Sequence, residues 1–135
     1  MIRLLVVDDH PEIRFGLQSL LGNEPDIAVI GMAADGAAAV SMAVDDPPDV
    51  VLMDLSMPVL DGVEATREIT RADPAVRVLV LTSHYTGSLV RRAFDAGAQG
   101  YLLKESSPNV LVDAIRAVHR GESPMAPMVR AIFTG

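Results

Sequence analysis

A doubly wound α/β domain, with a parallel sheet of five strands covered by helices on both faces, is predicted by three observations. Short apolar runs recur along the chain and end in polar or charged residues. Segments with apolar residues at helical spacing separate them, as crossover connections between parallel strands require. The 135 residues, 50% of them hydrophobic and 21% charged, suffice for one domain with a full core.

The elements follow in order. Leu4 to Val7 reads as a buried strand ending in Asp8-Asp9. Pro11 suits the first turn of a helix, and Ile13, Leu17, Leu20 and Leu21 share one face of it. Gly22-Asn23-Glu24-Pro25-Asp26 breaks that helix, and Ile27 to Ala33 forms the second strand. Asp35 caps an alanine-rich helix to about Val44, and Asp45 to Asp49 is a loop. Val50 to Met53 is apolar throughout, the pattern of a strand buried on both faces, and runs into Asp54. Asp61 or Gly62 opens a third helix, with Val63, Thr66 and Ile69 inward, that ends near Ala72-Asp73-Pro74. Val76 to Leu81 is the fourth strand, and a helix from about Thr86 to Ala96 turns Leu89, Val90, Ala93 and Phe94 inward. Gly97 fits a left-handed cap, and Gly100 to Lys104 is the fifth strand. Ser107-Pro108 starts a fifth helix with Val110, Leu111, Ala114, Ile115 and Val118 as its buried stripe. From Glu122 to Pro127 the chain reads as a linker. Met128 to Phe133 makes one or two apolar-faced turns with nothing of their own to pack on, as in a truncated chain or a segment that packs on a partner.

Composition excludes several classes. No apolar run approaches the roughly 18 to 20 residues that span a bilayer, and the N-terminus lacks a signal-peptide pattern, so no membrane association is expected. There is no cysteine, hence no disulfide or thiolate zinc site, which fits a cytoplasmic location. A formal charge of -7 opposes nucleic-acid binding by this chain alone. No Gly-x-x-x-x-Gly-Lys-Ser/Thr loop is present for nucleotide phosphates. Ten of the eleven basic residues are arginine, and Lys104 is the single lysine.

The expected strand order is 2-1-3-4-5, a common order of doubly wound sheets with right-handed crossovers that is carried over in part from the resemblance given below, and its topological switch lies between strands 1 and 3. Ligands bind outside the strand ends at such a switch, where Asp8-Asp9 and Asp54 emerge. A strand-end carboxylate serves as metal ligand, general base, nucleophile or helix cap. Asp8-Asp9 also reads as a cap for the first helix, and Asp61 better as a cap than as a ligand. Three converging carboxylates repel one another unless a cation is present, and oxygen ligands with an open face suit Mg²⁺. Thr82 and Lys104 end the neighbouring strands, adding a hydroxyl and an ammonium that complete a phosphate-recognising set.

Four segments in this order, Val6-Val7-Asp8-Asp9, Met53 to Pro58 with Asp61-Gly62, Leu81-Thr82-Ser83 and Gly97 to Lys104, resemble the receiver domain of two-component response regulators. The likeness covers roughly residues 2 to 121, is strongest to the LuxR/NarL-type subfamily, and implies a flavodoxin-like (βα)5 fold with sheet order 2-1-3-4-5. It divides the chain into a receiver domain, 1–121, and a linker or short extra helix, 122–135, leading to an absent output domain. It makes Asp54 the residue that takes a phosphoryl group from a sensor histidine kinase. It implies Mg²⁺ on Asp9, Asp54 and the backbone carbonyl of Ser56, with Asp8 acting through water. Lys104 and Thr82 would bind the phosphoryl oxygens, and Thr82 and Tyr101 would form the switch. Ser56 and His84 lie where phosphoryl lifetime is tuned. Helix 4, strand 5 and helix 5 would be the switched surface. Homodimers would form through that surface or through helices 1 and 5, and DNA would be bound only by a missing C-terminal helix-turn-helix. Glu105 stands where many receivers have proline, so that turn is made differently. The domain would signal rather than turn over substrate. Two other readings are a phosphorylation-independent pseudo-receiver, which usually has lost an aspartate or the lysine, and a dehalogenase-type phosphohydrolase, which wants an acid where Ser56 stands.

Overall fold

The computed structural model describes residues 1–57 and 59–134. Five parallel strands, β1 (Ile2–Val7), β2 (Ile27–Ala33), β3 (Val50–Met53), β4 (Arg77–Thr82) and β5 (Gly100–Leu103), form one sheet in the order β2-β1-β3-β4-β5. The connections are α1 (Pro11–Leu21), α2 (Gly36–Asp45), α3 (Gly62–Ala72) and α4 (Gly87–Asp95); α5 (Pro108–His119) and α6 (Pro127–Thr134) follow β5. This is the flavodoxin-like doubly wound fold, with strand and helix bounds within a residue or two of those read from the sequence. None of the described helices is long and apolar enough to cross a membrane.

Strand side chains alternate between two cores, because each face of a parallel sheet is covered. Leu5, Val7, Val51, Met53, Val78, Val80, Tyr101 and Leu103 pack with residues of α2, α3, α4 and α6, including Ala39, Ile69, Val90 and Val129. Leu4, Val6, Val50, Leu52, Leu79, Leu81 and Leu102 pack with Leu21 of α1 and with Leu111, Ile115 and Val118 of α5. Truncating a fully buried residue such as Ile115 costs about 2–5 kcal/mol.

Caps fix several helix starts as their sequences require. Asp35 Oδ1 accepts from Ala38 N–H at 2.8 Å and Asp61 Oδ1 from Glu64 N–H at 2.9 Å. Thr86 and Ser107 hydroxyls do the same for α4 and α5. Gly97 has φ 112°, the left-handed conformation expected after α4. Two expectations fail. Val110 is exposed rather than in the α5 stripe, because its neighbours Leu111 and Val112 are the residues of that turn which face the sheet. The turns after residue 127 do have something to pack on: α6 folds back over α4 and buries Val129 completely.

Candidate functional site

Strand register decides which side chains meet. Val7 pairs with Met53, so Asp8 and Asp54 are the next residues on adjacent strands. Thr82 pairs with Leu103, so Thr82 and Lys104 emerge on the other side of Asp54. Main-chain bonds hold these exits: Asp8 N–H to Ala33 O at 3.1 Å, Asp54 N–H to Val7 O and Lys104 N–H to Thr82 O at 3.0 Å each. The turn after Lys104 closes without proline, through Ser106 N–H to Leu103 O at 2.9 Å. The β3–α3 loop returns close behind Asp54, where a Cβ on Gly62 would stand 2.2 Å from the Asp54 carbonyl oxygen. Glycine is required there by contact alone.

The charged groups are tightly grouped and mostly out of water. Lys104 Nζ lies 2.8 Å from Asp8 Oδ2 and 3.3 Å from Asp54 Oδ2. Asp8 Oδ1 accepts from His10 N–H at 2.9 Å and sits 2.9 Å from His10 Nδ1. Ser56 N–H reaches Asp54 Oδ1 at 3.4 Å. Asp9 Oδ1 is buried and has no hydrogen-bond partner among the described residues, although His10 Nδ1 lies 3.0 Å away outside bonding geometry.

Burial pushes the Asp54 carboxyl above the usual range; the Lys104 charge opposes this and the Asp8 charge reinforces it. Burial acts on Asp8 as well, but the hydrogen bond from Lys104 and those from His10 outweigh it and hold Asp8 low. Burial disfavours the Lys104 ammonium, yet its hydrogen bond to Asp8 and the Asp54 and Asp8 charges raise it overall. The hydrogen bond to Asp8 and the charge of Asp9 raise His10.

The donor set fits a divalent cation. Ligand atoms of Asp8, Asp9, His10 and Asp54 lie within 4.8 Å of one another, and the orphaned Asp9 oxygen is among the groups they leave to satisfy. Three carboxylates against one ammonium leave two negative charges uncompensated when His10 is neutral. Oxygen-rich donors with an open face are the surroundings Mg²⁺ selects.

The remaining residues singled out in the sequence separate into two groups. Thr82 is wholly buried, and its Oγ1 accepts from His84 N–H at 3.3 Å. Tyr101 is wholly buried too, with its hydroxyl donating to the His84 carbonyl at 2.5 Å. Burial, with the charge of Asp54, pushes its phenol up to about 12. Ser56 and His84 are exposed on the rim of a crevice between the β3–α3 and β4–α4 loops, with Asp61 and Arg92. Asp61 is the α3 cap, not a member of the carboxylate cluster. Asp8 and Asp9 do not cap α1, whose N-cap residue is His10. The sequence places His10 exposed near the crevice but without ligand spacing, and its ring touches Asp8; Arg14, whose Nη1 donates to the Asp8 carbonyl at 2.6 Å, is the residue it misses. The only signal for either was position, one and five residues past the aspartate pair.

Residues 4–116 match the family model for the response regulator receiver domain. The chain is 46% identical over 129 residues to the transcriptional regulatory protein LiaR of Bacillus subtilis, covering 96% of this chain and 61% of that protein. It is 44% identical over 128 residues to the response regulator protein VraR of Staphylococcus aureus, covering 95% and 61%. The chain therefore spans about three fifths of the length of these relatives. The crystal structure of a LuxR-family two-component response regulator from Aurantimonas superposes with TM-score 0.93 at 40% identity, over 99% of this chain and 96% of that one.

Proposed function

The chain belongs to the response regulator receiver domain family, and from that premise we propose that Asp54 accepts a phosphoryl group from a sensor histidine kinase, with Mg²⁺. One observation carries this reading: Lys104 bridges Asp8 and Asp54 while a buried oxygen of Asp9 beside them has no hydrogen-bond partner among the described residues.

Each group has a task in the transfer. A carboxylate oxygen of Asp54 forms a bond to phosphorus as the bond from phosphorus to the kinase imidazole nitrogen breaks, and that nitrogen takes up a proton. Asp9, Asp54 and the Ser56 carbonyl would hold Mg²⁺, with Asp8 through water; bound there, the ion neutralises charge on the transferring group. Lys104 turns from Asp54 to a phosphoryl oxygen, and the Thr82 hydroxyl donates to another. The product carries roughly two negative charges and new acceptor oxygens. Pulling Thr82 toward them draws in the β4–α4 loop, with Tyr101 tied behind it through His84. Moving a two-state surface of α4, β5 and α5 from mostly off to mostly on takes about 5 kcal/mol of differential stabilisation. A few charge-assisted hydrogen bonds supply that much.

Ser56 and His84, on the rim of the crevice, tune how long the phosphoryl group lasts by setting access of water. Residues 1–121 act as the receiver, in the cytoplasm, and 122–135 connect it to an output. The transcriptional role in the name of the Bacillus relative extends to this chain as part of the proposal, with DNA bound by a helix-turn-helix outside residues 1–135. Self-association uses the α4–β5–α5 side or α1 with α5.

Intact mass after incubation with acetyl phosphate tests the reading. One adduct that forms with Mg²⁺ but not with EDTA present, is cleaved by hydroxylamine, and is absent from Asp54→Asn is the expected result. Phosphate released over many turnovers with little adduct would favour a hydrolase. Neither product would leave a receiver that only binds partners.

A further inference from the structure

The chain beyond α5 is bound to the switch from two sides. Gln99 Nε2 donates to the carbonyls of Gly121 and Glu122, both at 3.0 Å. The next residues run beside β5 as a short parallel bridge pairing Tyr101 with Met125. Tyr101 N–H donates to Pro124 O and Ala126 N–H to Tyr101 O, each at 3.0 Å. Gly100 allows this approach, since a Cβ there would stand 2.8 Å from the Pro124 oxygen. The bridge therefore holds the Tyr101 main chain whatever its ring does.

The ring is held through a different path. Phe94 of α4 stacks on Tyr101 with centroids 6.3 Å apart, and Phe133 of α6 meets Phe94 edge-on at 5.5 Å. Ile132 comes beside Gly87 at the start of α4, and Val129 is buried beneath the helix. The far end of α6 thus rests on a row of rings whose last member is the proposed switch tyrosine in its inward position.

We propose that α6 is an intramolecular latch on the β5–α4 face, seated through Phe133, Phe94 and the inward Tyr101 ring. What moves Tyr101 rests on the Asp54 reading above. The inward ring and the seated helix occur together, so each stabilises the other, and anything that favours one favours the other by the same factor. Phosphorylation, which draws the β4–α4 loop and Tyr101 inward, therefore tightens α6. The bridge at Pro124 to Ala126 stays closed in both states and acts as the hinge.

Hydrogen exchange followed by mass spectrometry on the 135-residue chain tests this, with acetyl phosphate and Mg²⁺ present or absent and intact mass read in parallel. Where the adduct forms, exchange at residues 130–134 slows about three- to tenfold, the worth of one aromatic contact, while Ala126 is unchanged. An adduct with unchanged or faster exchange in α6 overturns the latch and leaves the Asp54 reading standing. Absence of the adduct overturns the Asp54 reading, and Tyr101→Phe then decides the latch without it. That variant keeps the ring and the fold but loses the bond to His84, so residues 130–134 exchange severalfold faster than in wild type. Exchange equal to wild type in Tyr101→Phe overturns the coupling through the ring.

Discussion

Two ionic clusters stand at opposite ends of the sheet, and each sets three carboxylates against one side-chain cation. At the C-terminal ends of the strands, Asp8, Asp9 and Asp54 face Lys104; the side chains of Asp8 and Asp54 are each 3% exposed and that of Lys104 18%. At the other end, Glu24, Asp26 and Asp113 surround Arg116, which is 32% exposed. Arg116 grips Asp26 through two parallel bonds of 2.8 and 2.9 Å. The charge count is the same, and the medium differs. Water screens the excess at Arg116, and the hydrogen bonds from that arginine hold Asp26 down to about 2. At Lys104 burial removes the screening, and Asp54 is pushed up while Asp8 is pulled down. A count of ion pairs does not separate the two clusters. Burial does, together with an Asp9 oxygen that has no hydrogen-bond partner among the described residues.

The comparison can be broken by removing each cation. Lys104→Met leaves three carboxylates facing one another and lowers stability at pH 7 by about 2 kcal/mol, less than a fully buried broken pair because Asp54 can take up a proton. Urea unfolding checks it, and the loss shrinks as pH falls and the carboxylates protonate. Loss of this size at every pH would show that Lys104 acts by packing alone.

A divalent cation should sharpen the difference. Mg²⁺ at about ten times its Kd raises stability by roughly 1.4 kcal/mol, and EDTA reverses this; thermal unfolding reads both. Asp9→Asn removes most of the effect, whereas Arg116→Met leaves it intact.

Replacing the buried carboxylate that burial disfavours gives a smaller change of opposite sign. Asp54→Asn raises stability by about 1 kcal/mol in the absence of Mg²⁺ while abolishing the adduct, the usual exchange of stability for function at a charged site. A destabilised Asp54→Asn in urea would contradict the electrostatic reading.

Arg116→Met has the smallest effect, and salt weakens it further. Its pH dependence has a defined sign. Asp26 is depressed in the folded state, so its contribution is present above the ordinary aspartate range and is lost as pH falls toward about 2. Wild type and Arg116→Met therefore converge in stability across that window, as acid titration of the unfolding transition would record.

Much of this was legible in the chain itself. Five apolar runs ending in Asp8, Ala33, Asp54, Thr82 and Lys104 were enough for the fold, because a strand buried on both faces has a pattern of its own. The meeting of Asp8, Asp54 and Lys104 follows from parallel order, which puts successive strand ends side by side. What escaped depends on contacts between distant segments. His84 was read by its side chain, yet its main chain does the visible work, giving an N–H to Thr82 and a carbonyl to Tyr101. The turns from Met128 to Phe133 looked unsupported because their support, Phe94 and the edge of β5, comes from elsewhere in the chain. Val110 was placed in the core by helical period alone, which does not fix where the edge of the buried stripe falls; Leu111 and Val112 are buried beside it.

Locating the phosphoryl group is the most direct test of the account. After acetyl phosphate and Mg²⁺, borohydride reduces an aspartyl phosphate to homoserine, which peptide sequencing by mass spectrometry places at one residue. The account predicts homoserine at Asp54 alone, and none when Mg²⁺ is withheld. Homoserine at Asp8 or Asp9, or formed equally without Mg²⁺, would contradict it.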